Sequence, residues 1–259
     1  MISLAANGFA IASEGRRRGA GGRSALRSVA GPILALAIFM PTTAQAQAYQ
    51  CRTPRSVEVP QVRQDGPRRV LPVTGYTLAL SWSPEFCKGK ETRPANARQC
   101  SGRQGSYGFV VHGLWPDSGR SWPQYCPTRA RPTGAEVARH LCASPDARLV
   151  ARQWAKHGAC MVRKPGTYLR VTRILWDSLR FPDYDRLSRA DALTVGRIRT
   201  AFAAANRGWK PEMVGVKLNQ RGWLQELRLC YDRRFRPTRC DVRTYGASDR
   251  ERAKIWRGL

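Results

Sequence analysis

The chain has 259 residues, of which 42% are hydrophobic and 24% are charged, and its 45 Lys and Arg against 18 Asp and Glu give a formal net charge of +27. A chain of this length and hydrophobicity can bury one substantial core. The sequence has no internal repeat and no glycine-rich phosphate loop, which excludes a repeat array and a P-loop nucleotide-binding domain.

The positive charge favours a polyanionic partner, because such a field attracts polyanions and raises their encounter rate. Two observations weaken this interpretation. Most of these charges are expected on solvated surface, and only seven of the 45 cations are Lys, an Arg bias that a GC-rich genome also produces. The charge therefore supports nucleic acid as the partner without identifying it.

The first 46 residues have the organisation of a secretory signal peptide. Five arginines precede a short apolar stretch, Val29 to Met40, and the small residues Ala44-Gln45-Ala46 follow it. We expect cleavage after Ala46 or Ala48. A membrane anchor is the alternative, but an apolar stretch of about a dozen residues is short for a span, which needs about 20. The sequence therefore predicts a secreted or periplasmic protein, from a bacterium, with no stable membrane insertion after processing. The five Arg and one Glu lost with this segment leave a net charge of +23.

The eight cysteines all follow the predicted cleavage site. An even set of cysteines in an exported protein predicts four disulfides. Zinc binding is the alternative, but it calls for closely spaced Cys-x-x-Cys pairs, and the sequence has none. Eight cysteines allow on the order of a hundred pairings, so the spacing alone leaves the connectivity open.

Residues 47–72 are polar, rich in Arg and dotted with Pro, and we expect an irregular basic lead-in before a single domain at residues 73–259. In that domain, alternation from Tyr76 to Trp82 predicts a half-buried strand. The apolar run Phe109-Val110-Val111 predicts a buried strand that ends at His112, where Gly-Leu-Trp-Pro is expected to turn the chain.

The remaining elements follow from capping signals and hydrophobic periodicity. We expect a helix opened by the capping box Thr133 to Glu136, a helix from Pro145 to Gly158 capped by Ser144, a core helix from Thr167 to Arg180 with Ile174 facing inward, a helical region from Ser188 to Asn206, and strands at Met213 to Leu218 and Gly222 to Asp232. Strands before and after a block of helices predict an α+β fold, an antiparallel sheet backed by helices.

The second predicted helix carries the cluster Arg152 to Gly158. Gln153 and His157 are four residues apart and share a face of the helix. Arg152 and Lys156 have the same spacing, and two like charges there oppose helix formation unless an anion lies beside them. A solvated face is the ordinary interpretation of such a pair, and a phosphate site is the one that we favour next to His157.

Two histidines and one cation are the minimum set for general acid–base cleavage of a phosphodiester. His112 and His157 supply the imidazoles and Lys156 supplies the cation. The alternative for His112 is a hydrogen-bonded core histidine, which is the common role of a lone His on an apolar run. The third histidine, His140, matches no such segment, and we expect it to be structural or exposed.

Two short segments resemble the active-site segments of the ribonuclease T2 family of secreted acid ribonucleases. They are His112-Gly113-Leu114-Trp115-Pro116 and Trp154-Ala155-Lys156-His157-Gly158. Residues 76–87 resemble the first strand and cysteine of the family, and residues 226–232 resemble its late strand. The resemblance covers about Tyr76 to Cys240, and it implies a disulfide-stapled α+β fold of the T2 type. It also suggests the pairs Cys87–Cys100, Cys126–Cys160 and Cys230–Cys240, which leaves Cys51 with Cys142.

The resemblance implies an endoribonuclease that cleaves single-stranded RNA by transphosphorylation, without a metal or any other cofactor. The 2′-hydroxyl attacks the adjacent phosphorus and leaves a 2′,3′-cyclic phosphate and a free 5′-hydroxyl. In this scheme His157 is the base, His112 is the acid and Lys156 stabilises the charge on the phosphoryl oxygens. Trp115 and Asp117 would hold a base by stacking and hydrogen bonding, with broad base preference. Core packing is the alternative for Trp115.

The sequence departs from the family at two positions, because His-Glu usually stands where this chain has Arg152-Gln153. Arg152 can replace the histidine as a phosphate ligand, with a permanent charge and a bidentate fork. Gln153 keeps the length of glutamate but cannot raise the pKa of His157. We therefore expect retained activity that is slower, with an altered pH optimum.

Three alternatives remain at this point. The first is a catalytically weak or inactive T2-like protein that binds RNA. The second is a cationic secreted protein that damages anionic cell envelopes, although the sequence shows no suitable amphipathic helix. The third, a metal-dependent nuclease, is disfavoured because there is no carboxylate cluster. We expect the protein to be a monomer.

Overall fold

In a computed structural model of the chain, which describes residues 48–258, four strands form an antiparallel sheet. They are β1 (Gly75–Trp82), β2 (Phe109–Asp117), β3 (Val214–Leu218) and β4 (Leu224–Asp232). Their order across the sheet is β2-β1-β4-β3, so β1 lies between β2 and β4 and pairs with both. The predicted signal peptide, residues 1–46, lies outside the described residues.

Helices fill the chain between β2 and β3 and the connections around them. Within residues 48–258 they are α1 (Ser83–Cys87), α2 (Ala97–Cys100), α3 (Gly134–His140), α4 (Ala147–Lys156), α5 (Pro165–Asp177), α6 (Tyr184–Ser188), α7 (Val195–Ala205) and α8 (Val242–Tyr245), with 3₁₀ turns at Pro94–Asn96, Gly158–Cys160 and Pro211–Met213. The α+β class predicted from the sequence is confirmed. None of these helices combines the length and the apolar character that crossing a lipid bilayer requires.

The predicted turn after His112 is wrong, because β2 continues through Gly113 and Pro116 to Asp117. β2 is an edge strand, and a proline is tolerated at an edge, where its missing N–H costs no ladder bond. The register shifts instead at a β-bulge: Ala79 pairs with Gly113 and Leu80 with Val111. His112 is therefore the extra residue, and the bulge turns its side chain away from the core.

The register of the sheet separates a core face from a site face, since residues paired directly across an antiparallel sheet share a face. Leu78 pairs with Leu114 and with Leu229, and all three are fully buried. On the opposite face, Thr77 pairs with Trp115 and Ala79 lies between Gly113 and Arg228. The side chains that line the site therefore come from the face of the sheet that does not pack on the main core.

The free edge of β2 is covered by α5 and by the loop before α4. The Tyr168 hydroxyl on α5 accepts from the Leu114 N–H at 3.2 Å and donates to the Leu114 carbonyl at 3.1 Å. The Val111 N–H donates to the Ala143 carbonyl at 2.7 Å. These contacts satisfy backbone groups that an edge strand otherwise exposes, and they hold β2 against the helices.

Several predicted helix limits are wrong because a different residue caps the helix. The N-cap of α4 is Asp146 and not Ser144, since the Asp146 carboxylate accepts from the N–H groups of the first turn. Ser188 ends α6, and Thr194 caps α7. In α5, Ile174 is 60% exposed and does not face inward as predicted. The buried face of the helix runs through Tyr168, Thr172 and Leu175 instead. The capping box of α3, from Thr133 to Glu136, is present as predicted.

Four disulfides join Cys51 to Cys142, Cys87 to Cys100, Cys126 to Cys160 and Cys230 to Cys240. Three of these pairs are those that the resemblance suggests, and the fourth joins the two cysteines left over, Cys51 and Cys142. The prediction of four disulfides is confirmed.

Residues 48–72, which we call the N-terminal segment, contain no helix or strand of their own. The segment is nevertheless held against the rest of the molecule. Its Cys51 is bonded to Cys142, its Val57 N–H donates to the Gly134 carbonyl, and Arg69 exchanges two backbone hydrogen bonds of 2.9 Å with Gln124. The segment therefore lies along the loop between β2 and α3.

A buried arginine joins α7 to the part of the chain that follows α8. Arg199 is fully buried, and its guanidinium donates to the carbonyls of Val214 at 2.8 Å and of Tyr245 and Ala247 at 2.7 Å. A planar fork with several donors satisfies all three acceptors at once, which a lysine ammonium on a flexible stem cannot do in the same geometry.

We expect Arg199→Lys to lower the free energy of unfolding by about 3 kcal/mol, because it leaves buried carbonyls without donors. Chemical denaturation at pH 7 measures the change. Arg197→Lys on the same helix is the control, since Arg197 is exposed, and its effect should stay within about 0.5 kcal/mol. Equal effects of the two substitutions would contradict the structural role of Arg199.

Candidate active site

His112, the bulged residue of β2, is oriented by a carboxylate on β4. Its Nδ1 lies 2.8 Å from Oε2 of Glu226, and Oε1 of Glu226 accepts from Arg228 Nε at 2.8 Å. Burial alone would raise the pKa of Glu226, but the hydrogen bond with His112 and the charge of Arg228 outweigh it and hold that pKa below its usual value. Glu226 is therefore ionised, which makes Nδ1 of His112 the donor and leaves Nε2 for a ligand.

His157 follows the last residue of α4, and its backbone N–H donates to the Gln153 carbonyl at 2.9 Å. Its side chain is buried, and Nδ1 has no hydrogen-bond partner among the described residues. Burial lowers the pKa of His157 to about 3, with further lowering by the charges of Lys156, His112 and Arg152. The imidazole is therefore neutral in mildly acid and neutral solution.

Trp115 brings the two histidines together although 45 positions of sequence separate them. The His112 ring meets the indole edge to face at 5.2 Å between centroids, and the His157 ring lies 5.8 Å from the indole centroid. The indole Nε1 donates to Oε1 of Gln153 on α4 at 2.8 Å. Trp115 thus contacts both imidazoles and is held in place by Gln153, one of the two residues at which the sequence departs from the pattern that the resemblance implies.

Gly113 is required by this arrangement. A Cβ at this position would overlap the Oε1 of Gln153 and lie 2.6 Å from Nε1 of Trp115. Atoms at such distances must move apart, and both neighbours here belong to the hydrogen bond that fixes the indole. The glycine of the first segment therefore makes room for the contact between β2 and α4.

Arg152 and Lys156 have an anion between them, as their spacing suggests, but that anion belongs to the protein. Lys156 Nζ lies 3.1 Å from Oδ1 of Asp65, and Arg152 pairs with Oδ2 of the same carboxylate. The Tyr125 hydroxyl also donates to Asp65. Hydrogen bonds from Tyr125 and Lys156 and the charge of Arg152 lower the pKa of Asp65 to about 2. The carboxylate is therefore ionised above about pH 3 and forms an ion pair with Arg152.

A cleft of about 320 Å³ opens on the site face of the sheet. It is lined by Thr77, Trp115, Pro116, Asp117, Trp122, Lys156, His157, Arg228, Arg243 and Thr244. Four of the residues singled out from the sequence therefore line the cleft: Trp115, Asp117, Lys156 and His157. His112, Gln153 and Arg152 do not line it, although His112 and Gln153 contact Trp115, which does.

Asp117 lines the cleft and carries one unpaired carboxylate oxygen. Its Oδ1 is buried and has no hydrogen-bond partner in the described part of the chain. Burial raises the pKa of Asp117, against hydrogen bonds from the backbone of Ser118 and Gly119. Trp122, which is 42% exposed, lines the same cleft as Trp115. The cleft is therefore lined by aromatic surface, a carboxylate, an imidazole and an ammonium.

Sequence reasoning missed the carboxylates at positions 226 and 65 as site residues. For Glu226 a signal existed, because the alternation of β4 puts Glu226 and Arg228 together on the face opposite Leu227. For Asp65 the signal was faint: it is one of two acidic residues, with Glu58, in an otherwise basic segment.

His140 lies apart from the site and is buried, so the exposed alternative is wrong. Burial and the charge of Arg173 lower the pKa of His140 to about 4. Across residues 48–258, no group of three or more His, Cys, Asp and Glu side chains is arranged to hold a metal ion.

Solved structures define the class of fold. Trichomaglin, described as an S-like ribonuclease, superposes with a TM-score of 0.54 at 20% identity over 71% of this chain and 98% of its own. RNase NT in complex with 5′-AMP superposes with a TM-score of 0.51 at 16% identity over the same shares of the two chains. The fold is that of these ribonucleases.

Sequence comparisons identify the family. A probable ribonuclease of Haemophilus influenzae is 30% identical over 191 residues, which are 68% of this chain and 64% of that protein. A ribonuclease of Aeromonas hydrophila is 46% identical over 85 residues, which are 33% of this chain and 36% of that protein. The chain thus spans less than two thirds of the length of these relatives. The model of the Ribonuclease T2 family matches residues 74–240, and the chain belongs to this family.

We expect Gly113→Ala to displace the Gln153 amide from Trp115 and to lower the catalytic efficiency of any reaction at this site on the order of 100-fold, the cost of a misplacement of about 1 Å in a site. The indole N–H signal of Trp115 in a ¹⁵N spectrum should move, which reports the lost hydrogen bond without an activity assay.

Gln153→Ala removes the atoms that the new Cβ would overlap first. In that background the additional cost of Gly113→Ala should be smaller than in the wild-type chain. An unchanged Trp115 signal and full activity in Gly113→Ala would show that the close approach of β2 to α4 is not needed.

Proposed function

We propose that the protein is an endoribonuclease that cleaves single-stranded RNA by attack of the 2′-hydroxyl on the adjacent phosphorus. The observation that carries this proposal is the pair of imidazoles, His112 and His157, packed against Trp115 beside the Lys156 ammonium. Membership of the Ribonuclease T2 family supports RNA as the substrate. The products are a 2′,3′-cyclic phosphate and a free 5′-hydroxyl.

The environments of the two histidines support opposite roles. His157 is neutral and lines the cleft, so its ring can accept the proton of the 2′-hydroxyl as the O–P bond forms. His112 donates through Nδ1 to the Glu226 carboxylate, which fixes the orientation of the ring, and as the proposed acid it gives a proton from Nε2 to the departing 5′-oxygen as the P–O bond breaks. One proton enters the pair and one leaves it, and exchange with solvent restores both rings. General acid–base catalysis of this kind contributes about 10²–10⁴-fold.

Lys156 supplies the positive charge for the phosphoryl group. Its ammonium lines the cleft next to His157, where it can stabilise the charge that grows on the non-bridging oxygens. We assign the direct phosphate contact to Lys156 and not to Arg152, which we expected from the sequence, because Arg152 does not line the cleft and pairs with Asp65.

Trp115 and Asp117 are placed to hold a base in the cleft. Stacking on an indole accepts any base, so we expect broad base preference. Asp117 lines the cleft, and a carboxylate can accept a hydrogen bond from an exocyclic amine. DNA has the same bases and phosphates but lacks the 2′-hydroxyl, so it should bind without being cut.

We also infer export to the periplasm or the medium. Four disulfides support this location, because such bonds form and persist in oxidising compartments. The signal peptide that would direct export is a prediction from residues 1–46.

The decisive experiment incubates the mature protein with a short single-stranded RNA and identifies the ends of the fragments. We expect a cyclic phosphate end, no inhibition by EDTA, and a loss of about 100-fold or more for His112→Ala and for His157→Ala. The same oligonucleotide with 2′-deoxyribose at the cleavage site is the matched control and should stay intact. RNA that survives across about pH 4 to 8, where His and carboxylates titrate, would overturn the proposal.

We expect Gln153→Glu to raise activity near neutral pH. A carboxylate beside His157 favours the protonated ring, so the pKa of His157 should rise from about 3 toward its ordinary 6.5 and make the ring a stronger base. The acid limb of the kcat/KM profile should therefore move to higher pH. Gln220→Glu adds the same charge at an exposed turn and should change neither quantity. An acid limb that moves to lower pH, or not at all, would contradict this account of position 153.

A further inference from the structure

Three side chains meet at the carboxylate of Asp65, and the four residues come from three separate parts of the chain. We call them the Asp65 cluster: Asp65 in the N-terminal segment, Tyr125 in the loop after β2, and Arg152 and Lys156 on α4. The carboxylate accepts from the Tyr125 hydroxyl, from Arg152 and, at 3.1 Å, from Lys156 Nζ. The cluster joins the N-terminal segment directly to a cation that lines the cleft.

The charges on α4 require such a partner. Arg152 and Lys156 lie one turn apart and repel each other, and Gln153 between them is neutral. The Arg152 side chain is 46% exposed and the Lys156 side chain is 21% exposed, so water screens the charge of Lys156 only in part. One carboxylate that bridges both cations removes the repulsion and fixes the direction of the lysine side chain.

The bridge leaves Lys156 able to bind phosphate. An ammonium has three N–H donors, and the contact with Oδ1 of Asp65 uses one of them. The lysine lines the cleft while it is paired, so its remaining donors can serve a substrate oxygen. Pairing with Asp65 and binding of phosphate are therefore compatible.

The carboxylate is held by the fold on both sides of Asp65. The Asp65 N–H donates to the Tyr125 hydroxyl at 3.2 Å, and Gln124 donates through Nε2 to the Pro67 carbonyl at 2.7 Å. The backbone pairing of Arg69 with Gln124 follows directly.

Tyr125 has φ of 53°, a left-handed conformation that costs free energy for a residue with a side chain. Its N–H donates to the Lys156 carbonyl at 2.8 Å, and Cys126 beside it is bonded to Cys160. These bonds hold the strained backbone in the conformation that directs the tyrosine hydroxyl to Asp65.

We propose that Asp65 is a positioning residue, which holds the Lys156 ammonium at the place where phosphate charge develops and confines Arg152 to a supporting role. The N-terminal segment is then part of the active site, although it lies before residue 74, where the family match begins. The kinetic consequence rests on the proposed function, and the effect on the lysine side chain does not.

Asp65→Asn removes the charge and keeps the shape of the side chain. We expect kcat on single-stranded RNA to fall about tenfold, less than the roughly 100-fold or more that follows loss of a stabilising charge itself. In a Lys156→Gln background, Asp65→Asn should cause no further loss, because Asp65 acts through that lysine. Tyr125→Phe removes only the hydroxyl contact and should cause a smaller fall.

Asp177→Asn is the matched control, since it removes the same charge from the exposed ion pair with Arg173. It should leave kcat unchanged. Thermal unfolding of each variant shows whether the lost activity reflects lost fold, and Tyr125→Phe carries the test if Asp65→Asn fails to fold.

A second measurement is independent of RNA cleavage. The chain has seven lysines, and the ¹⁵N signals of their ammonium groups can be assigned by single Lys→Arg substitutions. We expect the Lys156 signal to be distinct from those of exposed lysines in the wild-type chain and to move to their position in Asp65→Asn. If the wild-type protein does not cleave RNA, the proposed function fails, while this signal still decides the role of Asp65.

Three results would overturn the proposal. A higher kcat/KM for Asp65→Asn would mean that the carboxylate competes with substrate phosphate for Lys156. Equal losses from Asp65→Asn with and without Lys156 would mean that it acts elsewhere. An unmoved Lys156 signal would mean that the ion pair does not orient the side chain.

Discussion

The contacts of the Trp115 indole are the constraint on which the rest of the site depends. The indole contacts both imidazoles, and its N–H is bonded to the Gln153 amide. The bulge at His112 and the absence of a side chain at Gly113 make this possible, because together they bring β2 close to α4. The positions of the two imidazoles, the proposed acid and base, are therefore set by packing between a strand and a helix, and not by a flexible loop.

The two imidazoles differ because the protein surrounds them differently. His112 is partly exposed and bonded to the Glu226 carboxylate, whereas His157 is buried among cations with one nitrogen unpaired. Identical side chains in contrasting surroundings can divide acid and base duties between them. A second carboxylate, that of Asp65, pairs with the Lys156 ammonium. His112 and Lys156 therefore each have their own carboxylate partner.

The sequence was sufficient for those features that short-range patterns encode. Alternation in β1 and β4, the capping box of α3 and the four-residue spacing on α4 all concern neighbours in the chain. The turn predicted after His112 failed because a proline breaks a strand only where its N–H is needed, and the edge position of β2 is a property of the whole sheet. Asp65 could not be assigned for a similar reason, since its partners lie 60 and 91 positions away and no periodicity links them.

The disulfide between Cys51 and Cys142 closes a ring of 91 positions that includes Asp65, His112 and Tyr125. A crosslink over a ring of this size limits the unfolded chain by about 4 to 5 kcal/mol. Inside the producing cell, where thiols stay reduced, that constraint is missing, and the carboxylate segment is joined to its lysine by noncovalent contacts alone. The proposed export would then complete the active site only after the chain has left the reducing compartment in which RNA, the proposed substrate, is abundant.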